Sequence, residues 1–489
     1  MANEVAVGGG LDRRHRKVIF ASSLGTVFEW YDFYLYGSLS AIISRQFFSG
    51  VNETTGFIFA LLAFAAGFFV RPFGALVFGR LGDLVGRKHT FLITIVIMGV
   101  STAAVGLLPT YESIGIVAPV ALILMRLLQG LALGGEYGGA ATYVAEHAPP
   151  GRRGLYTSFI QTTATLGLFL SLLVILACRL LLGPEFETWG WRIPFLVSIV
   201  LLAISVYIRL QLQESPAFME VKSAGRLSTA PLREAFGQWD NLKVVLLALF
   251  GATAGQAVVW YGGQFYALFF LEKILQVESQ AANLVIVAAL VIGTPFFVVF
   301  GWLSDRIGRK PVVLGGCVLA VLTYFPAFHA LTAYANPALQ RAVTAAPVTV
   351  LADPADCAFQ FDPVGRKAFT SSCDVVKSAL ARAGVPYSNE DAPPGSVAVV
   401  RIGEGATAMR IESFAGGALD KPAFAAASAD FGARLKAALA AARYPPKADM
   451  TQVAYGPVIA ICTWLVLLVT MVYGPIAAWL VELFPVRIR

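Results

Sequence analysis

The stretch Gly79-Arg80-Leu81-Gly82-Asp83-Leu84-Val85-Gly86-Arg87-Lys88 recurs as Gly301-Trp302-Leu303-Ser304-Asp305-Arg306-Ile307-Gly308-Arg309-Lys310. Six of the ten positions are identical, and the two copies are 222 residues apart. The glycines allow a tight turn and a close approach between helices. For a single copy the alternative is a basic turn that only orients the chain in a membrane, whereas the duplication predicts an internal repeat.

The acidic and basic side chains of the two copies suit a latch between helices. Asp and Arg at neighbouring helix ends can form charge-assisted hydrogen bonds, and such bonds can hold one conformation. Each copy also follows the second apolar span of its group, as expected of equivalent parts of two halves. We therefore predict a gating signature made of Gly79, Asp83, Gly86, Arg87, Lys88, Gly301, Asp305, Gly308, Arg309 and Lys310.

The composition around the repeat is that of a membrane protein. Of the 489 residues, 57% are hydrophobic and 14% are charged, compared with about 45–50% and about 25% in soluble domains. Compact soluble domains cannot bury so much apolar surface, so we predict an all-α polytopic membrane protein. The net charge of +7 lies in short groups between apolar segments, which argues against a nucleic-acid partner and for a lipid bilayer.

Ten apolar stretches are long enough to cross a hydrocarbon layer of about 30 Å. They lie near residues 18-43, 55-79, 90-109, 114-144, 154-182, 189-211, 243-271, 281-302, 311-334 and 452-484. One side of the predicted topology carries 19 Lys and Arg residues, while the short loops opposite hold four, namely Arg45, Arg179, Arg192 and Lys273. This asymmetry places the N-terminus, the linker after the sixth span and Arg489 in the cytoplasm.

One hydrophilic segment, residues 335-451, is much longer than the other connections. It holds 12 basic and 11 acidic residues, with a strand-like stretch near 396-402 and an Ala-rich helical stretch near 421-443. Because structureless connections of this length are uncommon, we predict a small extracytoplasmic α/β insert. Cys357 and Cys373 both fall in it, and they either form a disulfide or remain free thiols.

The predicted organisation follows from these spans. It comprises a cytoplasmic N-terminus (1-17), a transmembrane half of six helices (18-211), a cytoplasmic linker (212-242), helices seven to nine (243-334), the insert (335-451), and helix ten with the start of a cytoplasmic loop (452-489).

The duplicated signature resembles that of the major facilitator superfamily. More narrowly, the sequence resembles the metabolite:proton symporter family of that superfamily. The closer likeness is carried by Glu29-Trp30-Tyr31-Asp32-Phe33, Arg71-Pro72-Phe73-Gly74, Arg126-Leu127-Leu128-Gln129-Gly130, Gly134-Gly135-Glu136-Tyr137-Gly138-Gly139, Gly190-Trp191-Arg192-Ile193-Pro194-Phe195, Glu214-Ser215-Pro216 and Glu482-Leu483-Phe484-Pro485. The resemblance implies twelve helices in two six-helix halves, alternating access, and proton-coupled uptake of small organic acids or zwitterions such as dicarboxylates, citrate, shikimate, proline or betaine. It also implies an inner-membrane location, and we expect a monomer without a cofactor.

The sequence departs from this family pattern in two places. The chain ends at Arg489, where the family continues through two more helices, so we expect ten helices here and no partner for Asp83. The insert is the second departure, because the general family pattern gives it no function.

Ionisable residues inside the spans are the candidates for proton coupling. A charged side chain facing lipid at mid-span costs about 2.5–3.5 kcal/mol or more, so these residues should face the bundle interior. Glu29 and Asp32 lie three residues apart on one helix face, and two buried acids this close do not both ionise readily. The predicted proton-coupling residues are Glu29, Asp32, Arg126 and Glu136. The alternative is that the acids are structural partners of Arg71 or Arg126.

The candidate substrate-binding residues are Arg71, Tyr36, Gln161, Gln256, Trp260, Tyr261 and Gln264. The polar and aromatic residues of the seventh span could form a neutral cavity wall, with aromatic packing as the alternative. Arg71 could instead extend to the lipid headgroups, and Arg126 could hold a substrate carboxylate instead of assisting proton transfer. A purely structural interpretation of Gly130, Gly134 and Gly138 is that they form a stripe of small residues that allows close helix packing.

Other function classes receive less support from the sequence. There is no phosphate-binding loop of the kind that binds ATP. The four histidines lie outside the insert, so it offers no His-based metal site or Ser-His-Asp arrangement, and we expect no enzyme. A non-transporting sensor or scaffold on the same fold, and a uniporter without proton coupling, remain as alternatives.

Overall fold

Helices dominate the computed structural model, which describes residues 13–49, 53–210, 219–220, 223–224, 231–358, 369–405 and 408–484. The first half contains α1 (Arg13–Ser38), α2 (Ser40–Phe47), α3 (Glu53–Phe69), α4 (Arg71–Val85), α5 (Arg87–Leu107), α6 (Tyr111–Ile114), α7 (Val117–His147), α8 (Arg153–Leu182) and α9 (Arg192–Leu210). A short π-helix, Phe186–Gly190, precedes α9.

The helices after the linker are more interrupted. They are α10 (Pro231–Gly237), α11 (Trp239–Leu246), α12 (Ala254–Tyr261), α13 (Ala267–Phe269), α14 (Ser279–Gly293), α15 (Pro295–Ile307), α16 (Arg309–Ala335), α17 (Pro337–Ala345), α18 (Ser372–Arg382), α19 (Lys421–Ala441), α20 (Tyr455–Tyr473) and α21 (Ile476–Leu483). The seventh span runs from Trp239 to Glu272 and alternates α-helical with π-helical turns at Leu247–Thr253, Gly262–Tyr266 and Phe270–Ile274.

Within the described residues, nine helices are long and apolar enough to cross a membrane. They correspond to the second to tenth predicted spans. The first predicted span is the helix α1 followed by α2, and it is not among the nine; its sequence includes the acidic residues Glu29 and Asp32. Nine of the ten predicted spans thus correspond to these helices, and α1 with α2 covers the residues of the first.

Proline and glycine set the bounds of the helices that carry the duplicated signature. The second span breaks at Val70 before Arg71-Pro72, and the eighth breaks at Thr294 before Pro295, because proline lacks the N–H that a continuous helix needs. Both helices end at a signature glycine with positive φ, which is +119° at Gly86 and +96° at Gly308. The two copies therefore have the same local structure.

The chain forms two compact units, each described here by itself. The first comprises Met1–Val258, Thr294–Cys317 and Val469–Arg489, and the second comprises Val259–Gly293 and Val318–Leu468. In the first unit α1 packs against α8 and α9, and α5 packs against α7 and α9. A Cβ at Gly167 of α8 would overlap the Trp30 side chain, so this glycine permits the close approach of α1.

Glycines also allow the second span to approach α7. A Cβ at Gly130 would overlap the carbonyl oxygen of Gly67, and one at Gly134 would overlap that of Arg71. Gly138 differs, because a Cβ there has no described atom within 4 Å. The predicted small-residue stripe therefore packs closely at two of its three positions.

The insert, which lies in the second unit, contains a four-stranded sheet with the order β2-β1-β3-β4. Its strands are β1 (Val348–Ala352), β2 (Tyr387–Asp391), β3 (Val399–Ile402) and β4 (Met409–Glu412). β1 pairs parallel with β2, with Val348 opposite Tyr387, and the other two pairings are antiparallel. This confirms the predicted α/β insert.

Alternating burial and one disulfide hold the insert together. In β1 the buried residues alternate with half-buried ones, as one covered sheet face requires. Cys357 and Cys373 form a disulfide that joins the segment after β1 to the first turn of α18, with 5.1 Å between their Cα atoms. The Gly395 and Ala355 N–H groups donate to Asp353, which lowers the pKa of that carboxyl.

Short hydrogen bonds attach the insert to the ends of three spans. Asn336 Nδ2 donates to the Leu275 carbonyl at 3.0 Å, and the Ala448 N–H donates to the Gln276 carbonyl at 3.1 Å. The Ala454 N–H donates to the Tyr334 carbonyl at 2.9 Å. Both ends of the insert are therefore fixed to the loop after the seventh span.

The glycine contacts lead to a stability prediction. We expect Gly130→Ala to lower the free energy of unfolding by about 1–3 kcal/mol, because the new methyl group meets a backbone carbonyl that cannot rotate away. Gly138→Ala is the matched control, and it should be neutral or slightly stabilising because alanine favours helix. Melting temperatures of both purified variants in detergent measure the difference. Equal melting temperatures would contradict the close packing at Gly130.

Candidate functional site

A cluster of buried ionic side chains lies inside the first unit. Arg209 Nη2 of α9 is 2.9 Å from Glu29 Oε1 of α1, and it also forms an ion pair with Glu136 Oε1 of α7. The Thr94 hydroxyl of α5 donates to Glu136. All three ionic side chains are about 2% exposed. The cluster therefore connects four helices through groups that are cut off from solvent.

The charges within this cluster are unequal. Two carboxylates surround one guanidinium, so the cluster carries one net negative charge when both acids are ionised. A net charge without a partner is costly in a buried site, and one proton shared by the two acids makes the cluster neutral. This charge balance makes the cluster the candidate proton-coupling site of the first unit.

Arg209 is a site residue that the sequence analysis did not single out. It was counted among the basic residues of the cytoplasmic side, whereas its side chain is turned inward from the last turn of α9. The alternative pairing of Glu29 with Arg71 or Arg126 is also wrong, because Glu29 pairs with Arg209. One sequence signal accompanies the pair: Gly25 lies four residues before Glu29, and a Cβ there would come within 2.6 Å of Arg209 Nη2.

Asp32 lies in a separate polar environment one turn from Glu29. Ser198 Oγ of α9 donates to Asp32 Oδ1 at 2.6 Å, and Asp32 is 5% exposed. Among the described residues, no cation lies within ion-pair distance of its carboxylate. Asp32 is therefore a buried acid held by a hydroxyl group, and its chemistry differs from that of the ion-paired Glu29.

Arg126 of α7 is a buried cation with aromatic neighbours. Its guanidinium carbon lies 4.2 Å from the ring centre of Tyr36 and 5.2 Å from that of Phe64. Its Nη1 donates to Gln129 Oε1, and Gln129 in turn donates to Thr102. Within the described part of the chain, Arg126 has no carboxylate within 4.0 Å, and its Nε has no hydrogen-bond partner. This guanidinium can therefore donate hydrogen bonds to a carboxylate.

The other candidates in the first half lie around the same aromatic group. The guanidinium carbon of Arg71 is 4.6 Å from the Phe33 ring centre and 4.2 Å from that of Phe68, so Arg71 contacts aromatic rings within the unit. Tyr36 is fully buried and donates to the Ala60 carbonyl at 3.0 Å. Gln161 is buried in α8.

The candidates in the seventh span fall into different units. Gln256 is buried in the first unit, whereas Trp260, Tyr261 and Gln264 belong to the second. Trp260 packs edge-on against Tyr261, with 4.9 Å between ring centres, and Gln264 is half-buried. For Trp260 and Tyr261 the observed contacts match the aromatic-packing alternative.

The second copy of the signature forms a clasp at the end of the first unit. Both carboxylate oxygens of Asp305 accept N–H groups from the first turn of α8, one from Gly154 and one from Leu155, each at 2.8 Å. An anion at this position also interacts favourably with the helix dipole. A Cβ at Gly301 would overlap Ser158 of α8, so the signature glycine allows α15 to reach α8.

Arg309 extends the clasp to the tenth span. Its Nη1 is 2.6 Å from Asp305 Oδ1, and its Nε and Nη2 donate to the two carboxylate oxygens of Glu482 at 3.2 and 3.1 Å. Gly308 ends α15, and Lys310 is exposed. The clasp, defined as Asp305, Arg309 and Glu482 on the first turn of α8, thus links α8, α15, α16 and α21.

Only part of the first copy of the signature lies among the described side chains. The side chains of Asp83 and Arg87 lie outside the described residues. Lys88 Nζ donates to the Leu210 carbonyl at 2.9 Å, and Gly79 lines a cavity of about 320 Å³. A Cβ at Gly79 has no described atom within 4 Å, in contrast to Gly301. The expected behaviour of Asp83 therefore stays a prediction.

Two family profiles match overlapping parts of the chain. The profile described as "Sugar (and other) transporter" matches residues 17–234, and the profile described as "MFS/sugar transport protein" matches residues 140–352.

Several curated proteins are similar to the chain. The inner membrane metabolite transport protein YhjE of Escherichia coli (strain K12) is 37% identical over 338 residues, which are 66% of this chain and 74% of that protein. The shikimate transporter of the same strain is 35% identical over 65% of this chain and 73% of its own length. The proline/betaine transporter of Salmonella typhimurium is 37% identical over 330 residues, and the match covers 65% of each protein. The chain thus spans somewhat less than two thirds of that transporter.

A solved structure shares the fold. The proton:xylose symporter XylE, bound to 6-bromo-6-deoxy-D-glucose, aligns with a TM-score of 0.50 at 19% identity. The alignment covers 67% of this chain and 76% of the symporter. This likeness concerns the fold and carries nothing about the ligand.

The buried cluster leads to a prediction about stability. Arg209→Met leaves Glu29 and Glu136 buried without their cation, so we expect the free energy of unfolding to fall by about 3–5 kcal/mol. Arg45→Met removes an exposed ion pair with Glu187 and should cost about 1 kcal/mol or less. Adding Glu29→Gln to Arg209→Met should restore part of the loss. Thermal unfolding in detergent measures the stability of these variants, and Arg209→Met should be the least stable. Equal effects of Arg209→Met and Arg45→Met would contradict the prediction.

Proposed function

The chain belongs to the major facilitator superfamily, in its metabolite:proton symporter family, and we propose that it is a secondary active transporter. It moves a small organic acid or zwitterionic metabolite together with protons across the cytoplasmic (inner) membrane by alternating access, as a monomer. The N-terminus and linker face the cytoplasm, and the insert lies outside. This proposal rests on the cluster of Glu29, Arg209 and Glu136, because the charges of these three groups cancel only when the cluster holds one proton.

Proton binding is assigned to the acids of α1 and α7. Glu29 and Glu136 share Arg209, and Asp32 lies one turn further along α1. Each proton that moves inward through such a site contributes about 2.3 kcal/mol per 100 mV of membrane potential. One coupled proton is therefore sufficient to concentrate a substrate against its gradient.

Substrate binding is assigned to the aromatic group around Arg126. A guanidinium without a carboxylate partner in the described residues can bind a substrate carboxylate through two parallel hydrogen bonds. The names of the relatives support this chemistry, because proline, betaine and shikimate all carry a carboxylate. Arg71, next to the same rings, adds positive charge, and Tyr36 forms an aromatic wall.

The clasp is assigned to the gate. It joins α8 of the first six spans to α15, α16 and α21, and all of its partners are side chains or N–H groups at helix ends. Breaking it exposes these groups to water instead of leaving them buried, so the cost of opening is moderate. The clasp therefore holds one side of the transporter closed in a reversible way.

Proton movement in proteoliposomes tests the proposal. We expect external alkalinisation when a transported carboxylate or zwitterion, from a panel including proline, betaine and shikimate, is added to vesicles that contain the protein. Glu29→Gln and Asp32→Asn should abolish uphill uptake but retain some counterflow, because exchange of bound substrate needs no net proton transfer. Glu112→Gln, which changes an exposed acid of α6, is the control.

Each result of this assay decides between functions. Wild-type accumulation ratios in both acid variants would overturn the assignment of the coupling residues. Substrate uptake without proton movement would favour a uniporter. If labelled substrates of the panel neither accumulate nor exchange, the protein is better explained as a sensor or scaffold on the same fold.

The clasp leads to a separate prediction about accessibility. In a background without the free cysteines, Ser158→Cys places a thiol in the buried contact between α8 and α15. Adding Asp305→Ala removes two charge-assisted hydrogen bonds of about 1.5–3 kcal/mol each. We therefore expect a maleimide to label the thiol at position 158 about tenfold faster or more than it does when Asp305 is present. Asp240→Ala, at an exposed position of α11, should leave the rate unchanged. Equal rates in both variants would show that Asp305 does not hold the contact closed.

A further inference from the structure

A cavity of about 390 Å³ lies at the seam between the insert and the loop after the seventh span. Its walls come from α18, α19 and the segment Tyr444 to Pro446, with Gln276 of the loop on the remaining side. All of these residues belong to the second unit. The volume is in the range of small-molecule sites, about 300–1,000 Å³.

Two exposed cations line this seam cavity. Arg382 is in the last turn of α18, and Lys436 is on α19. Considering the described residues only, neither side chain has an ion pair or hydrogen bond, and no acidic residue lines the cavity. Other arginines of the insert are paired: Arg401 contacts Glu390, and Arg434 contacts Asp430.

The rest of the seam cavity is apolar. Val385, Leu435 and Leu439 are buried residues in its wall, and Pro445 and Pro446 form part of its edge. The Tyr444 hydroxyl donates to the Ala346 carbonyl at 2.7 Å, so the tyrosine offers its ring rather than its hydroxyl. Burial raises the pKa of Tyr444 to about 12, which keeps it neutral at physiological pH. The cavity therefore combines an apolar surface with two positive charges.

The backbone around the cavity is held in an unusual conformation. Gln276 and Arg443 have φ values of +55° and +61°, and they are the two non-glycine residues with positive φ in the described chain. Such conformations cost free energy and persist where the surroundings fix them. Here the Gln276 carbonyl accepts the Ala448 N–H, and the neighbouring Leu275 carbonyl accepts from Asn336. The seam is therefore preorganised, which favours binding.

We propose that the seam cavity binds a small organic carboxylate with an apolar body. The carboxylate pairs with Arg382 and Lys436, and the apolar body lies against Leu435, Leu439 and the Tyr444 ring. This site is separate from the transport residues and does not depend on the proposed transport function. An occupant also contacts Gln276, so it links the insert to the loop of the seventh span.

Phenylacetate is a suitable probe, because it has one carboxylate and one small apolar ring. Calorimetric titration of the full chain in nanodiscs of zwitterionic lipid measures its binding. We expect the double variant Arg382→Gln/Lys436→Gln to bind about tenfold more weakly or worse, since hydrogen bonds to charged groups are worth about 1.5–3 kcal/mol. The control Lys377→Gln/Arg434→Gln changes one cation on each of the same helices outside the cavity, and it should bind as the wild type does.

A variant that fills the cavity tests the location independently of charge. A Cβ at Gly432 has no described atom within 4 Å, so Gly432→Leu adds a side chain to the cavity wall at a position where its Cβ meets open space. We expect it to abolish phenylacetate binding, and the neutral phenylacetamide should bind at least about tenfold more weakly than phenylacetate to the wild type.

Three outcomes would overturn the proposal. The first is equal phenylacetate affinity in the wild type, the double cation variant and Gly432→Leu, which would place binding elsewhere. The second is no binding of phenylacetate or hexanoate to the wild type. The third is retention of anionic lipid by the wild type but not by the double variant, with no carboxylate binding, which would assign the two cations to a lipid headgroup.

Discussion

The burial of Glu29, Arg209 and Glu136 is the constraint on which the packing of the first six spans depends. Inside a low-dielectric bundle each of these groups needs an opposite charge within a few ångströms, because a buried ion without a partner costs several kcal/mol. The requirement fixes the distance between α1, α7 and α9 at one level of the bundle. It also explains Gly25, since any side chain at that position would occupy the space of the guanidinium.

The clasp uses similar chemistry under a different condition. Asp305, Arg309 and Glu482 are also held by charge-assisted hydrogen bonds. Asp305 and Arg309 are 6% and 11% exposed, but Glu482 is 29% exposed, so water reaches the clasp from the Glu482 side. A solvated ion pair contributes little net free energy, whereas a desolvated one resists separation. Separating the two ion pairs of Arg209 in the first six spans therefore costs much free energy, whereas opening the clasp between helix ends costs less. Such a contrast suits the gate that is proposed for the clasp.

The sequence predicted the parts of the structure that depend on local chemistry. The duplicated signature and the insert with its β3 strand follow from residue types whose backbone preferences are strong. The breaks before Pro72 and Pro295 were not predicted, because the spans 55-79 and 281-302 were each taken as continuous helices. Arg209 was missed because a charge at the end of a span has the same linear pattern whether it points to the headgroups or inward. Only the packing of α9 against α1 decides between these directions. The π-helical turns of the seventh span were not predicted from the sequence.

The two candidate sites of the first unit share their helices, and this sharing is a physical route for coupling. Glu29 and Asp32 lie on one face of α1, and Arg126 and Glu136 both lie on α7, so a displacement of α1 relative to α7 alters both environments together. Ser198 and Arg209 add α9 to the same arrangement. Protonation of the Glu29 cluster weakens its hold on Arg209, because a neutral acid attracts a guanidinium less than a carboxylate does. In the transporter proposed here, this change would reach Asp32 through less than one turn of helix.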